Sequence, residues 1–345
     1  MKNGLLVGLW AATLAVGGIV AWRATGGSAA ATLPTAPSGG EAGEDPDMPF
    51  LGGPIPPLPT RMRLDPRKVK LGDQLFHDVN LSIDGTISCA SCHDLRKGGA
   101  DGRAVSEGVA GQLGTLNSPT VLNCGFNFRQ FWDGRAATLE EQVALPLHDP
   151  REMGSTWQHV LAFLARTPVY TQAFAALYPE GATPQSVADA IGTYERSLIT
   201  PNSRFDQYLR GRLDALDARE IHGYELFISV GCVTCHQGVN LGGNMFQKLG
   251  KTYDFFADRG APQPRDLGRF NVTGLEADKH LFKVPTLRNV HLTAPYLHDG
   301  SVHSLPQVIR LMAHFELGTT LQDSEVDAMA AFLETLTGDR PVAGR

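Results

Sequence analysis

Two short cysteine motifs organise this sequence, "ISCASCH" at residues 87–93 and "GCVTCH" at residues 231–236. Two thiols at this spacing add across the vinyl groups of a haem, and the histidine that follows ligates the iron from one side. Two disulfides or a zinc site would also use paired cysteines, but neither requires a histidine after each pair. The sequence therefore predicts two c-type haems. The attachment residues are Cys89, Cys92 and His93 for the first haem and Cys232, Cys235 and His236 for the second.

The composition is that of a globular protein with an acidic balance. The chain has 345 residues, 42% of them hydrophobic, and its 30 Lys and Arg against 36 Asp and Glu give a formal net charge of -6. This length accommodates about two domains. The charge balance offers no basic surface for nucleic acid, so we expect no nucleic-acid partner.

The N-terminus predicts export. Residues 4–22 form an apolar run after Lys2, and the small residues of "GGSAAA" provide a cleavage site. The run is also long enough to remain as a membrane anchor. We therefore read residues 1–31 as a signal peptide or an anchor and residues 32–59 as a Pro/Gly-rich linker. In either case the rest of the chain lies in the periplasm.

Similar surroundings of the two motifs predict two related halves. A helical stripe precedes each motif, in "DPRKVKLGDQLFHD" and in "DAREIHGYELFIS", and further helices are predicted at 157–166, 184–198, 305–315 and 326–336. Strand signals are weak, and long loops suit a core that is partly filled by porphyrin. We predict a mainly α fold with two cytochrome c-like haem domains, residues 60–205 and 206–345, wrapped by long irregular loops.

For the far side of the first haem, the only candidate donors in the segment that follows its motif are Cys124, His148, Met153 and His159, and we expect that side to be open. The second haem has plausible sixth ligands downstream. Met312, in "SLPQVIRLMAHFELG", lies on a predicted helix, and histidine plus methionine ligation raises a reduction potential, as suits electron transfer. Ordinary core packing is the alternative for this methionine. His298, His303 and His314 compete with it as ligands. The fifth cysteine, Cys124, lies in the apolar phrase "TVLNCGFNF" and is interpreted as a buried, inert thiol.

A set of longer phrases is spread over residues 64–338. They are "LGDQLFHDVNLS", "ISCASCH", "NSPTVLN", "FWDGRA", "EEQVALPLHDPREMG", "LITPNSRFDQYL", "GCVTCHQGVNLGG", "VPTLRNVHLTAPYLHDGS" and "LMAHFELG". Together these phrases resemble the bacterial di-haem cytochrome c peroxidase family, which includes MauG, the enzyme that matures the tryptophan-derived cofactor of methylamine dehydrogenase. The resemblance implies that hydrogen peroxide is reduced at the N-terminal haem, and that the C-terminal haem delivers electrons with Met312 as axial ligand.

The resemblance also indicates how the far face of the first haem differs from the family pattern. In the best-studied members a histidine in the loop after the first motif closes that face until the other haem is reduced. The aligned position in "SEGVAGQLGTLNSPT" is Val109, which cannot ligate iron. We therefore expect a first haem that is five-coordinate or weakly water-bound at rest and needs no reductive activation.

The family pattern nominates the catalytic residues. Glu152 would transfer the proton, with Gln142 and Pro146 lining the same pocket in "EEQVALPLHDPREMG". A carboxyl group shielded beside a porphyrin has a raised pKa, which suits proton transfer near neutral pH. Without the resemblance, Glu152 would be read as a solvated acid at a helix end. His148 is interpreted as a surface side chain.

Two further features are implied by the resemblance alone. Trp132 in "FWDGRA" matches a tryptophan between the haems, although a lone aromatic is more often a core residue. Asn117, Thr293 and Pro295 match a calcium site between the domains, formed by an amide oxygen, backbone carbonyls and waters.

Several alternatives remain at this level. The family implies a small c-type cytochrome or a cupredoxin as electron donor, and a homodimer. A MauG-like enzyme that oxidises residues of a partner protein is favoured by the absent histidine at Val109, but the maturase has tyrosine where this chain has Met312. A non-catalytic di-haem electron carrier is disfavoured by Glu152 and Val109.

Overall fold

The mainly α prediction is confirmed by the computed structural model, which describes residues 52–260 and 262–341. The helices of these residues are α1 Pro66–His77, α2 Cys89–Cys92, α3 Leu139–His148, α4 Trp157–Arg166, α5 Pro168–Leu177, α6 Pro184–Ser197, α7 Arg204–Leu209, α8 Ala218–Ser229, α9 Phe255–Arg259, α10 Phe270–Thr273, α11 Leu305–Phe315 and α12 Asp323–Glu334. Two short strands, β1 Phe246–Lys248 and β2 Leu281–Lys283, pair antiparallel with Gln247 opposite Phe282. The rest is loops and 3-10 turns.

Local capping explains where the helices begin. The Thr183 side chain accepts from the amide of Ser186 at 3.1 Å, and Pro184 occupies the first turn of α6. α4 and α11 have the predicted bounds. α12 begins at Asp323, earlier than predicted, because a capping box with Glu325 extends its first turn. The sequence reasoning did not predict α3 or α5.

The two halves repeat one helix crossing. α1, which precedes the first haem motif in the chain, crosses α6. In the same way α8, which precedes the second motif, crosses α12. A glycine stands at each crossing, because a Cβ on Gly72 would collide with the carbonyl of Ala190, and a Cβ on Gly223 with that of Ala328. The helix backbones therefore touch without intervening side chains. This shared arrangement identifies the two related halves that the motifs predict.

Each half has its own apolar core. The first core is formed by α1 and α3 to α6 and contains Phe76, Val143 and Phe174. Cys124 is buried in this core, and burial raises the pKa of its thiol, in agreement with an inert cysteine. The second core is formed by α7, α8, α11 and α12. By their contacts the two halves belong to one unit.

The end of the predicted linker packs on the second core. Ile55 is a buried member of that core, and Leu58 is also fully buried. The amide of Leu58 donates to Asp206 Oδ1 at 3.0 Å, and Asp206 forms a fully buried ion pair with Arg288 at 2.9 Å. Breaking such a pair leaves an uncompensated buried charge. We therefore expect the Asp206–Arg288 ion pair to hold the end of the linker in place.

The predicted signal peptide or anchor, residues 1–31, lies outside the described residues. Among the described residues, no single helix combines the length and hydropathy needed to cross a bilayer, although the bent pair α4 and α5 meets that requirement when taken together.

Candidate functional site

A cavity of about 740 Å³ lies beside the first haem motif. Cys92 and His93 line it, and the predicted residues Gln142, Pro146 and Glu152 line it as well. Gln142 and Pro146 share one face of α3, since they are four positions apart. The structure therefore brings the proposed first iron ligand and the proposed distal residues to one cavity.

The orientation of His93 suits an iron ligand. Its Nδ1 lies 3.3 Å from the carbonyl oxygen of Gly99 and 3.5 Å from the hydroxyl of Ser118. Because Nδ1 is engaged, Nε2 is the nitrogen left for a metal. Burial lowers the pKa of His93, which favours the neutral imidazole that metals bind.

Glu152 follows α3 in a tight turn at the cavity wall. Its amide donates to the carbonyl of Asp149 at 3.0 Å. Burial raises the pKa of Glu152, and the nearby Asp149 carboxylate acts in the same direction, against Arg135 and Arg151. The pKa of Glu152 is therefore shifted upward, which is the direction expected for a carboxyl group shielded in this pocket. His148, in contrast, is exposed, with Nδ1 3.0 Å from the carbonyl oxygen of Ser155.

The loop that carries Val109 is fastened to the Glu152 segment. The amide of Val109 donates to the carbonyl of Glu152 at 2.8 Å, and a pairing of Glu107 with Leu113 closes the loop. The Val109 side chain is buried and packs over Gly154. In this loop, Ser106 and Gly108 line the cavity instead.

Several buried polar groups in the wall of the first cavity have no hydrogen-bond partner. Five buried side-chain polar atoms of the described residues have no hydrogen bond, and three of them, Ser106 Oγ, Glu195 Oε2 and Arg265 Nε, belong to residues lining this cavity. Buried polar groups are normally hydrogen-bonded, so this cluster fits a bound group that has polar atoms of its own. A haem, apolar with two carboxylates, fits both this lining and the cysteine pair. Sequence reasoning missed Glu195 and Arg265, which lie far from both motifs.

A second cavity, of about 240 Å³, lies beside the second motif and is lined by Cys232, Cys235, His236 and Met312. His236 Nδ1 lies 3.2 Å from the carbonyl oxygen of Leu241, which again leaves Nε2 for a metal. Burial lowers the pKa of His236 to about 4. The lining fits a haem with histidine and methionine as its available ligands.

The competing histidines are less suitable than Met312. His298 lines the cavity, but its Nε2 lies 2.7 Å from Asp266 Oδ1 and its ring stacks on Phe282. His303 and His314 are exposed, and His314 stacks on Tyr253. Met312 is therefore the candidate that lines the cavity and has a ligating atom that is not already engaged.

Trp132 lies in the wall that the two cavities share, since it lines both. Its Nε1 donates to the carbonyl of Asn117 at 2.9 Å, and its own carbonyl accepts from the amide of Lys283 at 2.7 Å. These bonds, one to each half of the chain, fix the indole at the boundary between the cavities.

The three residues of the predicted calcium site, Asn117, Thr293 and Pro295, all line the second cavity. The Asn117 amide nitrogen donates to the carbonyl of Arg103 at 2.9 Å, so its oxygen is the atom left for a cation. One amide oxygen and backbone carbonyls are donors of the hard-oxygen type that calcium takes.

The fold and the two cavities define a mainly α protein that binds two c-type haems. The family model described as "Di-haem cytochrome c peroxidase" matches residues 66–214. The chain is 42% identical to cytochrome c551 peroxidase of Nitrosomonas europaea over 289 residues, 84% of this chain and 85% of the relative. It is 34% identical to the methylamine utilization protein MauG of Methylorubrum extorquens, over 82% of each chain. The chain belongs to the di-haem cytochrome c peroxidase family, and it is an enzyme of that family.

One relative is considerably longer than this chain. Cytochrome c peroxidase Ccp of Escherichia coli is 47% identical over 286 residues, which are 83% of this chain but 61% of that protein. Among solved structures, a MauG-like protein associated with microbial copper homeostasis matches with a TM-score of 0.72 and 31% identity, over 86% of this chain and 96% of that chain. The expected fold and the two haems agree with these matches.

Proposed function

We propose that this enzyme reduces hydrogen peroxide to water at the first haem, with electrons from a small c-type cytochrome or a cupredoxin. The observation that carries the proposal is the lining of the first cavity, where Glu152 and Gln142 share the space with His93. Apart from His93, the described lining includes no histidine and no methionine that could close the iron. An accessible iron beside a carboxylic acid is what peroxide cleavage requires.

Peroxide reduction consumes two electrons and two protons and yields two water molecules. The haem, when bound, supplies the redox chemistry. Glu152 moves a proton from the inner to the outer peroxide oxygen, and its raised pKa suits it to do so near neutral pH. The Gln142 amide orients the peroxide by hydrogen bonding, and Pro146 gives the pocket an apolar wall.

The resting enzyme needs no reductive activation in this proposal. Val109 stands where the best-studied relatives have a closing histidine, and its side chain is packed over Gly154. The hydrogen bond of its amide to Glu152 fastens the loop to the turn that holds the acid. These contacts support a loop that keeps the catalytic carboxyl group in place at rest.

His236 and Met312 would hold the second haem iron, and this ligation would give it a potential suited to electron transfer. Trp132 lies in the wall between the two cavities, where it would assist electron transfer from the second haem to the first. Asn117 accepts the Trp132 hydrogen bond and also belongs to the proposed calcium site, together with Thr293 and Pro295. A bound calcium ion would therefore stiffen the same wall.

We place the enzyme in the periplasm, as a homodimer, either soluble after signal cleavage or held by the N-terminal segment. Attachment of c-type haem in an exported chain motivates this location. Fractionation of cells and light scattering of the purified protein test these two points.

A protein-oxidising activity like that of MauG is the second candidate. This candidate is supported by Val109, which cannot ligate the first iron. It is opposed by Met312, because the maturase has a tyrosine in the corresponding ligand position.

Turnover by the enzyme as purified decides between the two. Oxidised enzyme is mixed with peroxide and a reduced c-type cytochrome, without pre-reduction, and its spectrum is recorded first. We expect one high-spin and one low-spin haem and multiple turnovers from the first mixing. Failure to consume peroxide catalytically, together with stoichiometric oxidation of a neighbouring protein, would establish the second candidate instead.

A further inference from the structure

Glu195 is a buried acid that the catalytic proposal does not use. It lies near the end of α6, is 6% exposed and lines the first cavity. Its Oε2 has no hydrogen-bond partner. A charged carboxylate without a partner is costly to bury, so the group is either neutral or served by something that the cavity holds.

The charged neighbours of Glu195 do not neutralise it. Arg196, the adjacent cation, is bound by both oxygens of Glu140 on α3, at 2.5 and 3.1 Å. The other titratable groups near Glu195 are Cys89 of α2, Cys124 of the 3-10 turn that precedes α3, and Tyr194 of α6. Once haem is attached, Cys89 is a thioether and no longer titrates.

The protonation of Glu195 follows from these surroundings. Burial raises its pKa to about 8; Arg196 lowers the pKa and Glu140 raises it, both by smaller amounts. In the absence of a haem charge the neutral acid is therefore stable at neutral pH, whereas the extra positive charge of an oxidised haem iron in the same cavity favours the ionised carboxylate. A charge change elsewhere in the same cavity acts on it strongly, because the surroundings screen poorly.

We propose that Glu195 is the redox-linked proton site of the first haem. When the first haem gains one electron, Glu195 takes up one proton from solvent, and when the haem loses that electron Glu195 releases the proton. The electron comes from the second haem during turnover, so both charge and atoms balance. The buried position beside the attachment cysteine Cys89 supplies the coupling. This inference rests on haem in the first cavity and deepens the proposed function, but it does not require peroxide as the substrate.

The haem-loaded full chain tests the proposal by a redox titration of the first haem at several pH values. In the wild type we expect the reduction potential to fall with rising pH between the pKa values of Glu195 in the oxidised and reduced protein. Glu195→Gln, which is nearly the same shape and stays neutral, should lose this dependence. The matched control is Asp189→Asn, on the same helix but paired with Lys68 at the surface, which should retain it.

A second variant gives a directional test. Glu140→Gln releases the Arg196 guanidinium next to Glu195, and a free cation favours the ionised carboxylate. The pH-dependent region of the titration should therefore move to lower pH. The potential of the second haem should be unchanged in all variants.

Infrared difference spectra of the reduced and oxidised wild type give an independent result even if a variant folds poorly. We expect a protonated-carboxyl band that responds to deuterium and to reduction, and that Glu195→Gln removes. A wild-type pH dependence retained in Glu195→Gln, or no such carboxyl band, would overturn the proposal. Either result could coexist with full peroxide turnover, so failure here is distinct from failure of the proposed function.

Discussion

Both haem cavities contain the same five-residue attachment motif, two cysteines followed by a histidine, but the cavities differ in size and in their other lining residues. Each has two cysteines and a histidine whose Nδ1 is held by a backbone carbonyl, Gly99 for His93 and Leu241 for His236. The first cavity is about 740 Å³ and is lined by several acids, amides and arginines, whereas the second is about 240 Å³ and is lined by Met312 and a single acid, Glu316. The attachment motif therefore determines where each haem iron is held, whereas residues distant in the sequence determine the chemistry of that iron.

The difference arises from which helix faces each cavity. α3 presents Gln142 and Pro146 to the first cavity, and the turn after it adds Glu152. In the second half, α11 presents Met312 to the cavity. The first arrangement supplies groups for proton transfer, and the second supplies an iron ligand. We therefore expect variants to affect one cavity and spare the other.

The largest effect is expected for Glu152→Gln. Removal of a general acid and base lowers turnover by roughly 10²-fold or more. The amide keeps the shape but cannot move the proton, so both haems should stay attached with unchanged spectra. Steady-state peroxide turnover measures the loss, with the exposed Glu107→Gln as control. Unchanged turnover would remove Glu152 from the mechanism.

Met312→Ala tests the other side of the comparison. Loss of the thioether should lower the reduction potential of the second haem, since methionine together with histidine raises it. Electron delivery and turnover should fall, while the spectrum of the first haem stays the same. Redox titration measures the shift, and His303→Ala, at an exposed position, should leave it unchanged. A low-spin spectrum and potential that survive Met312→Ala would assign the ligand elsewhere.

Gly72→Ala and Gly223→Ala test whether the two halves repeat one crossing. A methyl group at either site meets a backbone carbonyl of the partner helix, and overpacking of this kind costs about 1–3 kcal/mol of the free energy of unfolding. Thermal unfolding followed by circular dichroism measures the loss. Lys70→Ala, exposed on α1, should change little. Full stability of one glycine variant alone would show that the crossings are not equivalent.

The smallest spectral effect is expected for Val109→His. Because the Val109 side chain packs over Gly154 and its amide is bound to Glu152, the new imidazole should not reach the iron. The first haem should remain high-spin in the oxidised protein by electron paramagnetic resonance, with some loss of stability from overpacking. Conversion to a low-spin form that requires reduction before turnover would show that this loop can still close the haem.

Much of the fold followed from local signals. The helices ahead of both motifs, and the bounds of α4 and α11, were predictable because apolar spacing and caps act over a few residues. The glycine crossings also have a signal in the sequence, since "GDQLF" and "GYELF" repeat the same spacing of glycine, leucine and phenylalanine. α3 was not predicted because Pro146 within it is a helix-breaking residue, tolerated here in the last turn.

The covalent chemistry can be predicted from local sequence, because each haem is held by contiguous residues whose mutual distance is set by a single turn of backbone. Three relations depend on the packing of the whole fold: Trp132 lies in the wall between two cavities, Val109 is fastened to the Glu152 turn, and Glu195 lines the first cavity without a hydrogen-bond partner for its Oε2. Those relations join residues that are tens to more than a hundred positions apart in the chain. Local sequence preferences cannot predict such contacts, because they form only when helices and loops distant in the chain pack together.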